Sequence, residues 1–165
     1  MDFHDADIDF EATTNPDRFV RELFTNKKHA ISFFKQKLPP DVVALLELEK
    51  IEELPGTFID ETHKEYRSDI LFKIPLKSGN LSEIYLLFEH KSAPEPNTFT
   101  QILGYLSQIY NKQDRLTPVL PFIFYHGPSG WTRGNLFSGQ FQLTDEEKRI
   151  FSPYIPDFTA EIFDL

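Results

Sequence analysis

Apolar positions along the chain change period several times, and each change marks a new element. From Pro16 the spacing of Phe19, Val20, Leu23 and Phe24 predicts a helix, which Asn26 interrupts and recaps. Ala30, Ile31, Phe33 and Phe34 continue the helical spacing to Leu38, where Pro39 and Pro40 end it. A short helix over Asp41 to Glu47 follows. Residues 48 to 67 are charged and ambiguous, punctuated by Pro55-Gly56. Ser68 to Lys77 then alternates, Ser78-Gly79-Asn80 reads as a turn, and Ile84 to Lys91 returns, which predicts a hairpin. Asn97 is a plausible helix cap, and Phe99, Ile102, Leu103, Leu106, Ile109 and Tyr110 form one stripe beyond it. Pro118 to Tyr125 reads as a buried strand and Thr159 to Leu165 as a last strand, with a glycine-rich loop (HGPSGWTRG) and irregular sequence between. The order helix, hairpin, helix, strand, strand predicts a sheet flanked by helices, of the α/β or mixed kind.

The 165 residues amount to one domain, with residues 1 to 15 as an acidic, flexible lead-in and 16 to 165 as the folded part. Seventeen phenylalanines against one Met and one Trp predict an aromatic core. The absence of cysteine excludes disulfides, thiolate metal sites and a cysteine nucleophile. The acidic start lacks the pattern of a signal peptide and no apolar run is long enough to span a bilayer, so a cytoplasmic protein with no membrane partner is expected. Net charge is −9, which argues against a protein that grips nucleic acid through a basic surface. Five of those acids lie in the first twelve residues, and without them the remainder is −4.

The hairpin gathers the candidate chemistry. Ile70, Phe72, Ile74 and Leu76 share one face, and Ile84, Leu86, Phe88 and His90 share one on the return strand. Superposing the two faces sets Leu76 opposite Ile84 and Asp69 opposite Lys91, with Glu89 as the diagonal neighbour. Two carboxylates and an ammonium suit phosphodiester hydrolysis, because Mg²⁺ prefers oxygen ligands and a nearby Lys can stabilise charge on phosphorus. The same three residues would equally make a salt bridge on a solvent-facing hairpin. Asp17 reads either as a third acidic ligand or as a first-turn residue favoured by the helix dipole. His126 reads as a hydrogen-bonded turn residue and His90 as a core or helix contact. Asp5, Asp7 and Asp9 lack the Gly and Glu of a calcium loop, and HGPSGWTRG lacks the Lys-Ser/Thr of a phosphate-binding loop.

At these residues the chain resembles a known family. Ser68-Asp69-Ile70-Leu71-Phe72 and Leu87-Phe88-Glu89-His90-Lys91-Ser92 look like the recombination-promoting nuclease and transposase family of the PD-(D/E)XK superfamily. Pro16-Asp17-Arg18-Phe19 through Leu38-Pro39, Gln101-Ile102-Leu103-Gly104-Tyr105 and Phe124-Tyr125-His126-Gly127 agree, so the resemblance spans roughly residues 15 to 165. It implies a restriction-endonuclease-like α/β core with a mixed central sheet, Mg²⁺-dependent DNA cleavage (Mn²⁺ as a substitute), and a role in recombination or transposition. Asp69, Glu89 and Lys91 take the D…E-x-K positions, with Asp69, Glu89 and Asp17 as metal ligands. Gln101 and Tyr105 match an accompanying Q-x-x-x-Y, and their spacing sets both on the polar side of their helix, toward the site. The family often has His-Asp where this chain has Pro16-Asp17. Its members continue past the last strand, so an amino-terminal nuclease portion is expected. DNA is the expected partner, and a homo-oligomer stays open. The alternative is a catalytically inactive nucleic-acid-binding or protein-interaction module on the same fold.

Overall fold

The computed structural model describes residues 16–54, 69–90 and 97–164, with backbone placement alone for 16–20 and 88–90. Two helices open the described chain, α1 (Pro16–Thr25) and α2 (Lys27–Lys37). Asn26 divides them as expected, because its side chain accepts the amides of Lys28 and His29 and caps α2. The prolines at 39 and 40 stop α2, and Pro40 starts the short α3 (Pro40–Leu45). A 3₁₀ turn over Leu48–Lys50 leads into β1 (Glu52–Leu54), a strand in the stretch whose sequence was ambiguous.

β2 (Ile70–Pro75) and β3 (Leu81–His90) form the expected hairpin, α4 (Thr98–Lys112) crosses over, and β4 (Val119–His126) returns parallel to β3. β5 (Glu161–Asp164) lies parallel to β4. The sheet order is β1-β2-β3-β4-β5, antiparallel on one side of β3 and parallel on the other. The fold is therefore α/β, a mixed five-stranded sheet flanked by helices, consistent with a restriction-endonuclease-like core. Pro121 is tolerated in β4 because β5 begins only at the next position, opposite Phe122, leaving Pro121 a neighbour on one side. No helix among the described residues is long and apolar enough to cross a membrane.

Alternation along the strands builds two cores. Ile70, Phe72, Ile74, Ile84, Leu86, Phe122 and Phe124 meet α1 and α2 on one face. Leu71, Tyr85, Leu87, Ile123 and Tyr125 meet α4 on the other, with Phe137 and Ala160. The first core carries much of the phenylalanine: Phe24, Phe33, Phe34, Phe72, Phe122, Phe124 and Phe163 are joined by ring contacts at 4.9–6.3 Å.

The hairpin register differs from expectation. Phe72 pairs with Ile84 and Ile74 with Ser82, so every partner lies four residues earlier on β3 than the apolar pattern suggested. The turn explains the difference. Leu76 bridges Leu46 on the β1 side of β2, and its amide closes the loop onto the Asn80 carbonyl at 2.8 Å. Gly79 supplies the positive φ of 96° that the loop needs. β3 can then begin at Leu81, before the expected Ile84, because the polar Ser82 and Glu83 are accommodated in the strand. Ser82 is buried and donates to the Ile74 carbonyl at 2.8 Å, while Glu83 pairs across the strands with Lys73. An even shift keeps each side chain on its expected face.

A helix also stands where the sequence looked irregular. α5 (Asp145–Phe151) is opened by a capping box in which Thr144 and Glu147 bond each other's backbone amides.

Candidate nuclease site

The carboxylate that the sequence singles out lies at the start of β2, in the layer facing α4. Asp69 directly precedes Ile70 and is half-buried, and its Oδ2 accepts the Tyr85 hydroxyl at 2.5 Å. Tyr85 is fully buried at the middle of β3. A bond from a buried phenol to a carboxylate is charge-assisted, so it holds the Asp69 side chain in one orientation. Extending the hairpin register by one residue sets Asp69 across from Leu87, and Glu89 becomes the diagonal neighbour, about 7 Å away on the same side of the alternation.

Lys91 is thus not the residue opposite Asp69. The turn that starts at Leu76 moves the pairing, and Leu87 takes that position. Lys91 lies outside the described residues, and so does the acidic lead-in of residues 1 to 15. Asp17 is in the first turn of α1 and Glu89 pairs with Tyr125 of β4; both are placed by backbone alone. Among the described residues no three His, Cys, Asp or Glu side chains come together to hold a metal ion.

Tyr105 departs from its expected place. It is buried in the α4 core with Phe99, Ile102 and Leu106 instead of on the polar side of the helix. The reason is its aromatic body: α4 presses a broad face on the sheet, and the Tyr105 ring lies 5.7 Å from that of Tyr85 at an interplanar angle of 34°. Asp69, Tyr85 and Tyr105 therefore form one connected stack from strand to helix. Gln101 is half-buried one turn before Tyr105. Tyr85 was not singled out from sequence, since it sits within the apolar run Ile84-Tyr85-Leu86-Leu87. Its odd parity, shared with Asp69, is the signal that points to it.

The amino end of α4 lies over the Glu89 end of the sheet. Phe99 packs on Trp131 at 6.1 Å, and Trp131 meets Tyr125, the register partner of Glu89, at 5.4 Å. The loop carrying Trp131 is fixed by the Asp164 carboxylate, which accepts the Trp131 amide at 2.8 Å. α4 thus runs from the Glu89 end, past Tyr85, toward Glu83. A cavity of about 720 Å³ lies at that far end, lined by Lys73, Glu83, Lys112, Gln113 and Arg115 among others. Burial pushes the Glu83 carboxyl up from its ordinary value, against the lowering effects of Gln113 and Lys73. Lys73 is four residues from Asp69, about 13 Å along the strand, so the cavity is separate from the carboxylate site.

Removing the Tyr85 hydroxyl tests the Asp69 contact directly. Tyr85→Phe is expected to cost about 1–3 kcal/mol, because the carboxylate loses its bound donor while the ring packing stays. A denaturation midpoint equal to that of the unaltered protein would show that the bond contributes nothing.

A family profile described as "Putative transposase, YhgA-like" matches residues 14–165, nearly the entire chain. The chain belongs to this family. Its relatives include the recombination-promoting nuclease RpnD of Escherichia coli O157:H7, 26% identical over 157 residues, 82% of this chain and 60% of that protein. The recombination-promoting nuclease RpnC of Escherichia coli K12 is 25% identical over 125 residues, 73% of this chain and 41% of RpnC. The inactive recombination-promoting nuclease-like protein RpnE of the same strain is 27% identical over 124 residues, 71% of this chain and 41% of RpnE. The matched region spans about two fifths to three fifths of these relatives' lengths. No solved structure matches the chain. The family resemblance seen in the sequence holds, and the family contains named nucleases alongside members named as inactive.

Proposed function

We propose that the chain is a Mg²⁺-dependent DNA endonuclease domain of the PD-(D/E)XK type, acting in recombination or transposition. The observation that carries this reading is Asp69, a half-buried carboxylate fixed by the Tyr85 hydroxyl in a chain whose relatives are named nucleases.

The donor set fits the ion. Asp69, Glu89 and Asp17 would supply hard oxygen ligands, which suit Mg²⁺, with Mn²⁺ as a substitute. When bound, the ion polarises the phosphoryl group and lowers the pKa of a coordinated water. Tyr85 fixes the Asp69 carboxylate so that no reorientation is needed on binding. Lys91 is assigned to orient the attacking water or to stabilise charge on phosphorus, and Gln101 to face the phosphate from α4. Tyr105 acts through Tyr85 and is a positioning residue. DNA is the substrate, and nothing in this reading requires a homo-oligomer or a membrane.

Incubating supercoiled plasmid with the protein and Mg²⁺ is expected to give nicked and linear products, abolished by EDTA and restored by Mn²⁺. Intact plasmid in every condition would overturn the endonuclease reading. Plasmid that is bound but uncut favours the second reading, an inactive nucleic-acid-binding module, which the likeness to the inactive RpnE supports.

A further inference from the structure

The glycine-rich loop after β4 has no part in the site described so far, yet it leaves the sheet beside it. Tyr125 and His126, the last residues of β4, are the register partners of Glu89 and His90, so residues 127–134 start at the Glu89 end. The loop then folds onto the face of the sheet that carries Asp69. Trp131 packs on Tyr125 at 5.4 Å and on Phe99 at 6.1 Å, both in the core on the α4 side. Neighbouring strands lie ~4.8 Å apart, which sets Tyr125 one strand's width from Glu89.

Several bonds hold this loop in shape. Trp131 donates its amide to the Asp164 carboxylate at 2.8 Å and its indole Nε1 to the Gly134 carbonyl at 2.6 Å. The Arg133 carbonyl accepts the Gln140 side chain at 2.7 Å. The backbone around Arg133 is thus fixed, while its side chain is part-exposed. No carboxylate among the described residues lies within salt-bridge distance of that guanidinium, although the chain carries 26 acids against 17 Lys and Arg. Arg133 is two residues from Trp131, and two residues span at most ~7 Å, so this cation stays close to the Glu89 end.

We infer that residues 127–134 form a DNA-contact loop in which Arg133 holds a backbone phosphate of the strand beside the cleavage position, with Trp131 as the anchor that positions it. The guanidinium fork matches two oxygens of a phosphate and is always charged, so it fixes the register of the strand without reading bases. A cation at this place also offsets the carboxylates of the cleavage site, which by themselves repel the strand. This inference rests on DNA being the substrate, as in the endonuclease reading.

Arg133→Gln tests it beside Arg115→Gln, which makes the same change of net charge at the far end of α4. A short fluorescein-labelled DNA duplex is titrated with each protein in Ca²⁺ without Mg²⁺ over a range of salt, and melting temperature and plasmid nicking are measured in parallel. Arg133→Gln is expected to raise Kd about tenfold and to reduce the slope of log Kd against log salt by about one, with melting temperature unchanged. Its nicking should fall at low protein concentration and recover at high. Arg133→Lys should keep the salt slope of the unaltered protein, and Arg115→Gln its affinity. An Arg133→Gln variant that binds as tightly as Arg115→Gln would overturn the inference, while nicking by the unaltered protein keeps the endonuclease reading in place. A Lys variant with the salt slope of the Gln variant would overturn it too, since the charge would not be responsible. If the unaltered protein neither binds nor cuts DNA, both readings fall together.

Discussion

Asp69→Asn is expected to lose Mg²⁺-dependent plasmid nicking by about a thousandfold or more while folding normally. The asparagine keeps the size of the side chain and an oxygen that can still accept the Tyr85 hydroxyl. What it loses is the negative charge, and a ligand to a catalytic cation acts mainly through that charge. Metal-ion stabilisation of a phosphoryl transition state is worth several kcal/mol, and each ~1.4 kcal/mol is tenfold in rate. On the side of stability, two opposing changes nearly cancel. The bond to Tyr85 weakens because it is no longer charge-assisted, whereas the cost of holding a half-buried charge disappears. The melting temperature in EDTA should therefore change by the equivalent of about 1 kcal/mol or less in either direction. Asp69→Ala is the informative contrast, since it leaves the buried Tyr85 hydroxyl without this acceptor and should be less stable than the Asn variant. A salt-bridge role for Asp69 predicts nicking unaffected by either substitution. An Asn variant that cuts as well as the unaltered protein would remove Asp69 from the active site.

The sequence made the two-sided sheet legible because alternation survives errors of detail. Odd and even residues of β2 and β3 separate correctly even though the expected pairing was displaced by four, and Asp69 and Glu89 remain diagonal neighbours. The displacement arose at the turn, where the Leu76 amide meets the Asn80 carbonyl, so the loop closes over Lys77 to Gly79 and the strands pair sooner than the apolar pattern suggests. Likewise nothing local assigns the polar Ser82 and Glu83 to the strand until the Ile74 carbonyl and Lys73 are opposite them. Helix ends were easier, since Asn26 and Pro39-Pro40 act locally. α5 was missed although Thr144 and Glu147 spell a capping box, because all its residues are exposed and no apolar stripe accompanies it. Tyr105 was misplaced for a different reason. A tyrosine beside an apolar stripe can belong to either side of a helix, and here the ring of Tyr85 decides it. The motif residues named Asp69 as a candidate, but its buried partner Tyr85 became visible only with the fold.

Phe33→Ala should have the largest effect on stability of any single truncation proposed. Phe33 is 2% exposed on α2, and its ring meets those of Phe24, Phe34, Phe122, Phe124 and Phe163 at 5.0–5.6 Å. The residue thus ties α1 and α2 to β4 and β5, and removing it opens a void between helix and sheet. Phe→Ala in such a setting costs about 3–5 kcal/mol, partly lost transfer energy and partly the cavity. A domain of this size has a total stability of roughly 5–15 kcal/mol, so the variant should be marginal. Its melting temperature should fall by about 10 °C or more. Tyr154→Ala is the control, because Tyr154 is 80% exposed and its truncation should stay within about 0.5 kcal/mol. Guanidinium unfolding of both variants would check the contrast. Phe33 faces the α1–α2 side of the sheet and Asp69 lies on the α4 side, so the two effects separate. Under conditions where the Phe33 variant is still folded, its nicking activity should match the unaltered protein. A loss of activity before any loss of folding would mean that the two faces of the sheet are coupled through β3 and β4. A small loss of stability, comparable to Tyr154→Ala, would mean that the aromatic cluster collapses around the void and that its packing is not what joins helices to sheet.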